Sequence, residues 1–523
     1  MSGEIRVSGL TKRYRDGVGV HELSFVVRPG VVTGFLGPNG AGKSTTIRLM
    51  LGLAHGEGRT TFGGRSYAEL PDPVRTVGVL ADAFHPARTA AAHLRMVAAG
   101  GGVPARRVRE VLATVGLEAV GGKAVGKFSL GMKQRLGLAT ALLGDPEFLL
   151  LDEPANGLDP EGVRWIRRFL RRLADEGRTV FASSHLLAEM SQLADDLIVI
   201  NGGRLLSAGP LEEFVGRHAH SEVVVRSPDA VGLGMVLTRS GLRVRREPAG
   251  ELVVGTGDVE LRGVERGAGA GAVRAAQRAG GGVHGGDGGG SMRNAVAYEW
   301  FRARSLRSTW VLVLGAGVLQ FASGWYWGLK RDLGGMDAFG ASFGLVARLG
   351  AILVAAVGVG AFGLDHQHGT VVTTRLVLRA PWRIVVARAL VGGGLALAGG
   401  VLMVVLSAAG VLAGGGSLGG AGTGRVVAGV LLLAVLSGLA GVALGGLLRH
   451  TALAIGVFAV WALVVETVVA LVVDVSPGVL PFSGTAMWST AGVEPGWSGP
   501  VVFAGLAVAG LVAVRVVLAR RDA

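Results

Sequence analysis

Hydrophobic residues follow two different patterns along this chain of 523 residues. In the first half they come in short apolar runs, separated by amphipathic stretches. The runs at 31–36, in "EFLLLD" and in "TVFASS" are each followed by a helical pattern. This predicts buried strands of a mostly parallel sheet in an α/β domain. From residue 309 the runs lengthen to the ~20 residues that a bilayer crossing requires. They lie at 309–328, 343–364, 388–413, 426–448, 451–473 and 500–518, which predicts six spans in an all-α polytopic membrane domain over 292–523. Between the two regimes, 216–261 alternates strand-like segments and turns and predicts a small β-rich appendage. Residues 262–291 are largely Gly, Ala and Arg without a period, too poor in apolar side chains to fold, and read as a linker.

Composition sharpens this division. Half of the residues are hydrophobic, more than a soluble chain of this charge carries, so the excess belongs to the spans. With no cysteine, disulfides and cysteine-based zinc sites are excluded. The start, "MSGEIRVSGLTKRY", lacks the continuous apolar core of a signal peptide. The net charge of +14 raises the question of nucleic acid, but no recognition motif accompanies it. Arginines collected at the ends of the apolar runs account for much of it. With the segment before the first span placed in the cytoplasm, the inner side carries twelve arginines, Arg388 among them. The outer side carries only Lys330, Arg331 and Arg425. That asymmetry predicts an even number of spans with both ends inside.

The chemistry sits in the first half. "VVTGFLGPNGAGKSTTIRLMLGL" runs from an apolar strand through Gly37-Pro38-Asn39-Gly40-Ala41-Gly42-Lys43-Ser44-Thr45 into a helical pattern. This is the G-x-x-x-x-G-K-[ST] phosphate-binding loop in its strand–loop–helix setting. Glycines let successive backbone N–H groups curl around phosphate oxygens, and the helix N-terminus adds positive potential. Lys43 suits the β- and γ-phosphates and the Ser44 hydroxyl suits Mg²⁺. The strand "EFLLLDEP" ends in adjacent carboxylates: Asp152 suits a Mg²⁺ shell, and Glu153 can polarise an attacking water. A third strand, "TVFASSHLLAEM", ends at His185, where ligands bind in a doubly wound sheet.

The order of these parts resembles the ATP-binding cassette (ABC) ATPases, and the match covers roughly residues 4 to 215, so the cassette is expected over 1–215. The resemblance implies that Gly37 to Thr45 hold the triphosphate, Asp152 holds Mg²⁺, Glu153 is the catalytic base and His185 contacts the γ-phosphate. "LTKRYRDG" looks like the adenine-stacking segment, with Tyr14 as its aromatic. "KFSLGMKQRLGLATALLGDP" is similar to the signature segment, in which Ser129 and Gly131 would complete the ATP site of the opposite subunit. "NGLDP" matches the loop that would place Asp159 at the dimer seam. Three departures stand out. The signature reads Phe128-Ser129-Leu130-Gly131-Met132 instead of Leu-Ser-Gly-Gly-Gln. Asn156-Gly157 replace the usual Ser-Ala. Asp82 occupies the loop that normally carries a glutamine. A carboxylate there can still ligate Mg²⁺ while adding charge, or it is simply a solvated loop residue.

The second half resembles six-span ABC export permeases, over about 292 to 521. "MRNAVAYEWFRARSLRSTW" has the arginine-plus-aromatic composition of the interfacial elbow helix that opens them. "DHQHGTVVTTRLVLRAPWRIVVARA" resembles their cytoplasmic coupling segment. Asp365, His366 and His368 lack a further ligand set and read as a solvated turn of that segment, not as a metal site. Glu466, a carboxylate inside a span, is either functional or the partner of another intramembrane polar group. One cassette with one six-span domain makes half a transporter. The resemblance therefore implies a homodimer in the plasma membrane, with the ATPase and both termini cytoplasmic. It would use ATP and Mg²⁺ to export a hydrophobic small molecule, antibiotic or peptide, without a nucleic-acid partner. The alternative is a membrane-embedded ATP-driven signalling module, against which the short outer loops speak. The glycine tract before Met292 reads either as a natural fusion of ATPase to permease or as the product of a frameshift.

Overall fold

A computed structural model describes residues 3–14, 19–80, 82–218, 222–226, 229–239, 243–246, 251–255, 291–330, 337–419, 422–491 and 495–520. The linker expected at 262–291 lies outside them except for Ser291.

The strands follow the hydrophobic pattern. They are β1 (Ile5–Arg13), β2 (Gly19–Val27), β3 (Val32–Leu36), β4 (Glu57–Phe62), β5 (Val77–Val79), β6 (Phe148–Leu151), β7 (Thr179–Ser184), β8 (Asp196–Asn201) and β9 (Arg204–Pro210). The larger sheet has the order β5-β6-β7-β3-β8-β9, parallel except for β9. Its central strands β3, β6 and β7 are buried throughout, which is why they are apolar runs without alternation. A second sheet, β2-β1-β4, is antiparallel and has one wet face, so β1 alternates. Phe25 of β2 stacks on Phe181 of β7, with ring centroids 5.9 Å apart, and joins the two sheets. The loops that carry the chemistry leave the carboxyl ends of β3, β6 and β7, the edge where ligands bind in such sheets.

Residues 222–255 differ in part from the strands and turns expected. β10 (Glu222–Arg226), β11 (Arg243–Arg246) and β12 (Glu251–Gly255) form an antiparallel sheet in the order β10-β12-β11. A helix, Ala230–Arg239, lies between β10 and β11. Leu233 and Leu237, four residues apart, share its less exposed side, a period the glycines at 232 and 234 obscure in the sequence.

The second half opens with the helix Met292–Arg304, capped by Ser291. Six helices long and apolar enough to cross a membrane follow: Arg307–Leu329, Gly344–Gln367, Pro381–Ala413, Thr423–Leu448, Thr451–Val472 and Ser498–Arg520. The third begins at Pro381, about two turns earlier than its apolar run. Proline suits a first helical turn, and Arg388 is neutralised within the helix instead of ending it. Small residues set the spacing of the second and fourth spans. A Cβ on Gly441 would lie 2.1 Å from the Ala355 carbonyl oxygen, and one on Gly358 would lie 2.2 Å from that of Gly438.

The two halves pack directly on each other. The helix Ala90–Gly100 of the first half lies against Met292–Arg304 and against the short helix Val371–Leu378 between the second and third spans. Gly100 permits this approach, since a Cβ there would sit 2.4 Å from Val377 Cγ1 and 2.8 Å from Tyr298 Cδ2.

Candidate active site

The phosphate loop is held by glycine backbone geometry. Gly40 (φ 82°) and Gly42 (φ 101°) adopt left-handed conformations, and Gly42 caps the helix Lys43–Met50. Lys43 is buried; its Nζ donates to the Gly37 carbonyl at 2.7 Å and pairs with Glu153 Oε1 at 3.3 Å. Glu153 itself has φ 48°, an uncommon conformation for a non-glycine residue. Three contacts hold it there. Its N–H donates to Ser183 Oγ at 2.8 Å, its carbonyl accepts from Gln134 Nε2 at 2.9 Å, and its Oε2 meets His185 Nδ1 at 2.9 Å. Ser183 Oγ donates in turn to Asp152 Oδ1 at 2.6 Å. One hydroxyl at the end of β7 therefore holds the Asp152 carboxylate and the Glu153 backbone together at the end of β6.

Tyr14, Asn39, Gly40, Gly42, Lys43, Ser44, Thr45, Glu153 and His185 line one open cavity of about 400 Å³, together with Gly19 and Asn156. Tyr14 is exposed at its edge, with Lys12 Nζ 5.2 Å from the ring centre. Gly37, Pro38 and Ala41 complete the loop from behind. Ser129, Gly131 and Asp159 lie outside this lining. Ser129 caps the helix Leu130–Leu142 by accepting from the Met132 N–H, and Asp159 caps Pro160–Asp175 by accepting from Gly162 N–H at 2.9 Å. Gly131 packs on the Gly157 carbonyl, which a Cβ would approach to 3.1 Å. Asp82 is exposed in the loop after β5 and, like Asp152, is not among the residues that line the cavity. The Ser44 hydroxyl and the Asp152 carboxylate are hard-oxygen donors of the kind Mg²⁺ takes.

Residues 20–156 match the family described as ABC transporter. The chain is 42% identical over 224 residues to the bacitracin transport ATP-binding protein BcrA of Bacillus licheniformis, a match covering 42% of this chain and 73% of that protein. The chain belongs to the ABC transporter family. It is also 37% identical over 235 residues to the Nod factor export ATP-binding protein I of Burkholderia orbicola, covering 42% of this chain and 76% of that one. A solved ATP-binding subunit of an ABC transporter overlays with 27% identity and a TM-score of 0.38, covering 41% of this chain and 92% of the other. The first half is thus an ABC ATPase that binds ATP, and the chain carrying it is a membrane protein with six apolar helices.

Beneath the ATPase, the ABC transporter buries a group of charges where the sequence predicted a solvated turn. Asp365 is 2% exposed. It ion-pairs with Arg388 of the third span and accepts from Thr370 Oγ1 at 2.9 Å. Arg388 also donates to Glu299 Oε1 at 2.9 Å, and Glu299, fully buried, pairs with Arg302. A buried carboxylate this close to the cassette persists only when paired, and the partners come from sequence positions far apart. Arg88 of the cassette, 1% exposed, reaches in to donate to Ser305 Oγ at 2.9 Å; burial pushes its guanidinium pKa down, against the pull of Asp365 and Glu299. Two histidines of the same segment are held neutral by burial and by the charge of Arg88, with pKa values lowered to about 4 for His85 and about 3 for His93. No cluster of His, Asp and Glu fit for a metal occurs among the described residues.

Glu466 is 2% exposed and accepts two backbone N–H bonds, from Phe482 at 2.9 Å and Ser483 at 2.6 Å. It thereby caps the short helix Pro481–Met487, directly after a π-helical stretch, Trp461–Val465, in the fifth span. Sequence reasoning missed Ser183, Gln134 and Arg88. "ASSH" offered a serine beside His185, but nothing local says that it faces the neighbouring strand.

Proposed function

We propose that this chain is one half of a homodimeric ATP-driven exporter. The observation that carries the reading is the direct packing of the ATPase on the membrane helices, together with an ATP cavity that lacks the signature residues Ser129 and Gly131. A second copy facing this one would supply them. Export as the direction, and an amphiphilic or apolar cargo, take support from the relatives named for bacitracin transport and Nod factor export. The ATPase side is read as cytoplasmic from the arginine asymmetry.

In this reading Tyr14 stacks on the adenine and the N–H groups of Gly40 to Thr45 surround the phosphates. Lys43, now paired with Glu153, turns to the phosphates and leaves the carboxylate free to accept a proton from water. Ser44 and Asp152 would hold Mg²⁺, which when bound neutralises charge on the phosphate oxygens. Ser183 positions Asp152 and the Glu153 backbone together, and His185 orients the Glu153 carboxylate at the γ-phosphate end.

Motion reaches the spans through named contacts. Tyr67 Oη donates to the Leu376 carbonyl at 2.9 Å, Arg379 grips carbonyls of residues 67–71, and Tyr298 Oη shares a hydrogen bond with Thr374 Oγ1 at 3.0 Å. The test is ATP turnover by the purified full chain in lipid, beside Glu153→Gln and Ser129→Ala. Turnover lost in both variants, with nucleotide binding retained in Glu153→Gln, supports a two-copy site. Full turnover in Ser129→Ala would overturn it.

A further inference from the structure

A cavity of about 230 Å³ lies among the elbow helix Met292–Arg304 and the first, second, third and fifth spans, at the end of the bundle nearest the ATPase. Two of its lining residues are arginines, Arg302 (5% exposed) and Arg388 (2% exposed). Their carboxylate partners, Glu299 and Asp365, do not line it. The cavity therefore sees the cationic side of the network. The network is also unbalanced: among the described residues, Glu299 and Asp365 are the carboxylates that pair with Arg302 and Arg388 or act on Arg88, which leaves the buried cluster a formal excess of one positive charge. An unmatched buried charge is costly, and an anion in the cavity would offset it.

The donors for such an anion exist. A guanidinium has five N–H groups. Arg388 uses Nε and Nη2 on its carboxylates, and Arg302 uses Nε on Glu299 and Nη1 on the Gly360 carbonyl at 3.3 Å. Beyond the arginines the wall is mostly apolar, with Leu312, Val357, Val391 and Leu395, and hydroxyls come from Thr309, Thr451 and the exposed Ser308. Cationic floor, apolar wall and hydroxyl rim match a molecule with an anionic head and a hydrocarbon body.

We propose that this cavity binds the phosphate head of an amphiphile, with Arg302 and Arg388 on the phosphate oxygens and the first chain atoms along the apolar wall. Phosphate is the anion whose geometry suits a pair of planar guanidinium forks. Whether that amphiphile is cargo rests on the exporter reading; its binding does not.

The experiment uses the purified full chain without nucleotide, so that a failed ATPase and a failed binding site give separate results. The chain is exposed to equal amounts of phosphatidic acid and diacylglycerol with the same acyl chains, and retained lipid is counted by native mass spectrometry. Phosphatidic acid should be retained in preference by about tenfold, the ratio given by ~1.4 kcal/mol of charge-assisted binding. Gly360→Leu should abolish the preference. A Cβ at Gly360 meets only Leu364 Cδ1, at 3.4 Å, so the longer side chain has room to fill the cavity while the arginines stay in place. Arg302→Gln should reduce the preference as well, with melting measured alongside to detect misfolding. Equal retention of the two lipids, or a preference unchanged in Gly360→Leu, would overturn the proposal. Displacement of the lipid by millimolar inorganic phosphate would overturn the amphiphile in favour of a free anion.

Discussion

Arg379 offers the most direct test of how the ATPase is tied to the membrane helices. It sits just after the helix Val371–Leu378 with φ 49° and ψ −62°, a conformation that costs a non-glycine residue about 1–3 kcal/mol. In exchange, its Nη1 donates to the carbonyls of Tyr67 (3.2 Å), Ala68 (3.0 Å) and Leu70. One nitrogen has two hydrogens, so these three contacts amount to two bonds at most. Hydrogen bonds to a charged group contribute about 1.5–3 kcal/mol each when buried. Arg379 is half-exposed, and solvent screening reduces the pair to ~2 kcal/mol. Arg379→Ala loses the bonds and keeps the backbone strain; Arg379→Gly loses the bonds and relieves it. Hydrogen exchange of amides in 67–70 and 371–378 should therefore speed up about 30-fold in Arg379→Ala. Arg379→Gly should recover ~1 kcal/mol of that loss, or about fivefold. Exchange unchanged in both segments of a folded Arg379→Ala protein would refute the docking role. Equal exchange in the two variants would refute the strain argument.

Three other outcomes follow from buried groups. Glu299→Gln leaves the buried Arg302 and Arg388 short of a carboxylate and should cost about 3–5 kcal/mol, seen as a lowered melting temperature in detergent. A melting temperature equal to wild type would contradict the paired network. Glu466→Ala leaves the N–H groups of Phe482 and Ser483 without their acceptor and should cost about 2 kcal/mol, read as faster exchange across Pro481–Met487 but not across the ATPase. His93, with a folded pKa of about 3 against 6.5 ordinarily, takes up a proton more readily when unfolded. The stability this confers is complete above pH ~6.5 and falls as pH drops towards ~3, by at most ~1.4 kcal/mol per unit. His93→Phe, beside the Phe84 ring, should flatten the loss of stability between pH 6.5 and 5. An unchanged slope would place the titration elsewhere, His85 being the first alternative.

Much of the ATPase was legible in one dimension because its chemistry is local. The loop Gly37 to Thr45 needs glycines at particular backbone angles and a lysine at one offset, and those constraints are written consecutively. Asp152 and Glu153 are adjacent, and the apolar runs of β3, β6 and β7 carry their own period. The six spans were equally plain, since a bilayer demands length and hydropathy within a single segment. One reading failed because the partners lie far along the chain. Asp365 looked solvated because its neighbours His366, Gln367 and His368 are polar, whereas its real neighbours are Arg388 and Thr370.

What the sequence by itself determined, then, is the pair of solvents and the phosphate chemistry: the short buried strands β3, β6 and β7, membrane-length helices after 309, and a nucleotide loop between strand and helix. Tertiary structure alone decided the long-range pairings. Ser183 holding the Asp152 carboxylate and the Glu153 backbone after the next strand, Arg88 entering a charge cluster built by residues 299 to 388, and Glu466 capping a helix sixteen residues on all depend on chain crossings. Hydrophobic periodicity records which face of an element avoids water, because that preference acts residue by residue. It does not record which buried charge meets which, because the cost of an unpaired charge is settled only when distant segments close on the same volume.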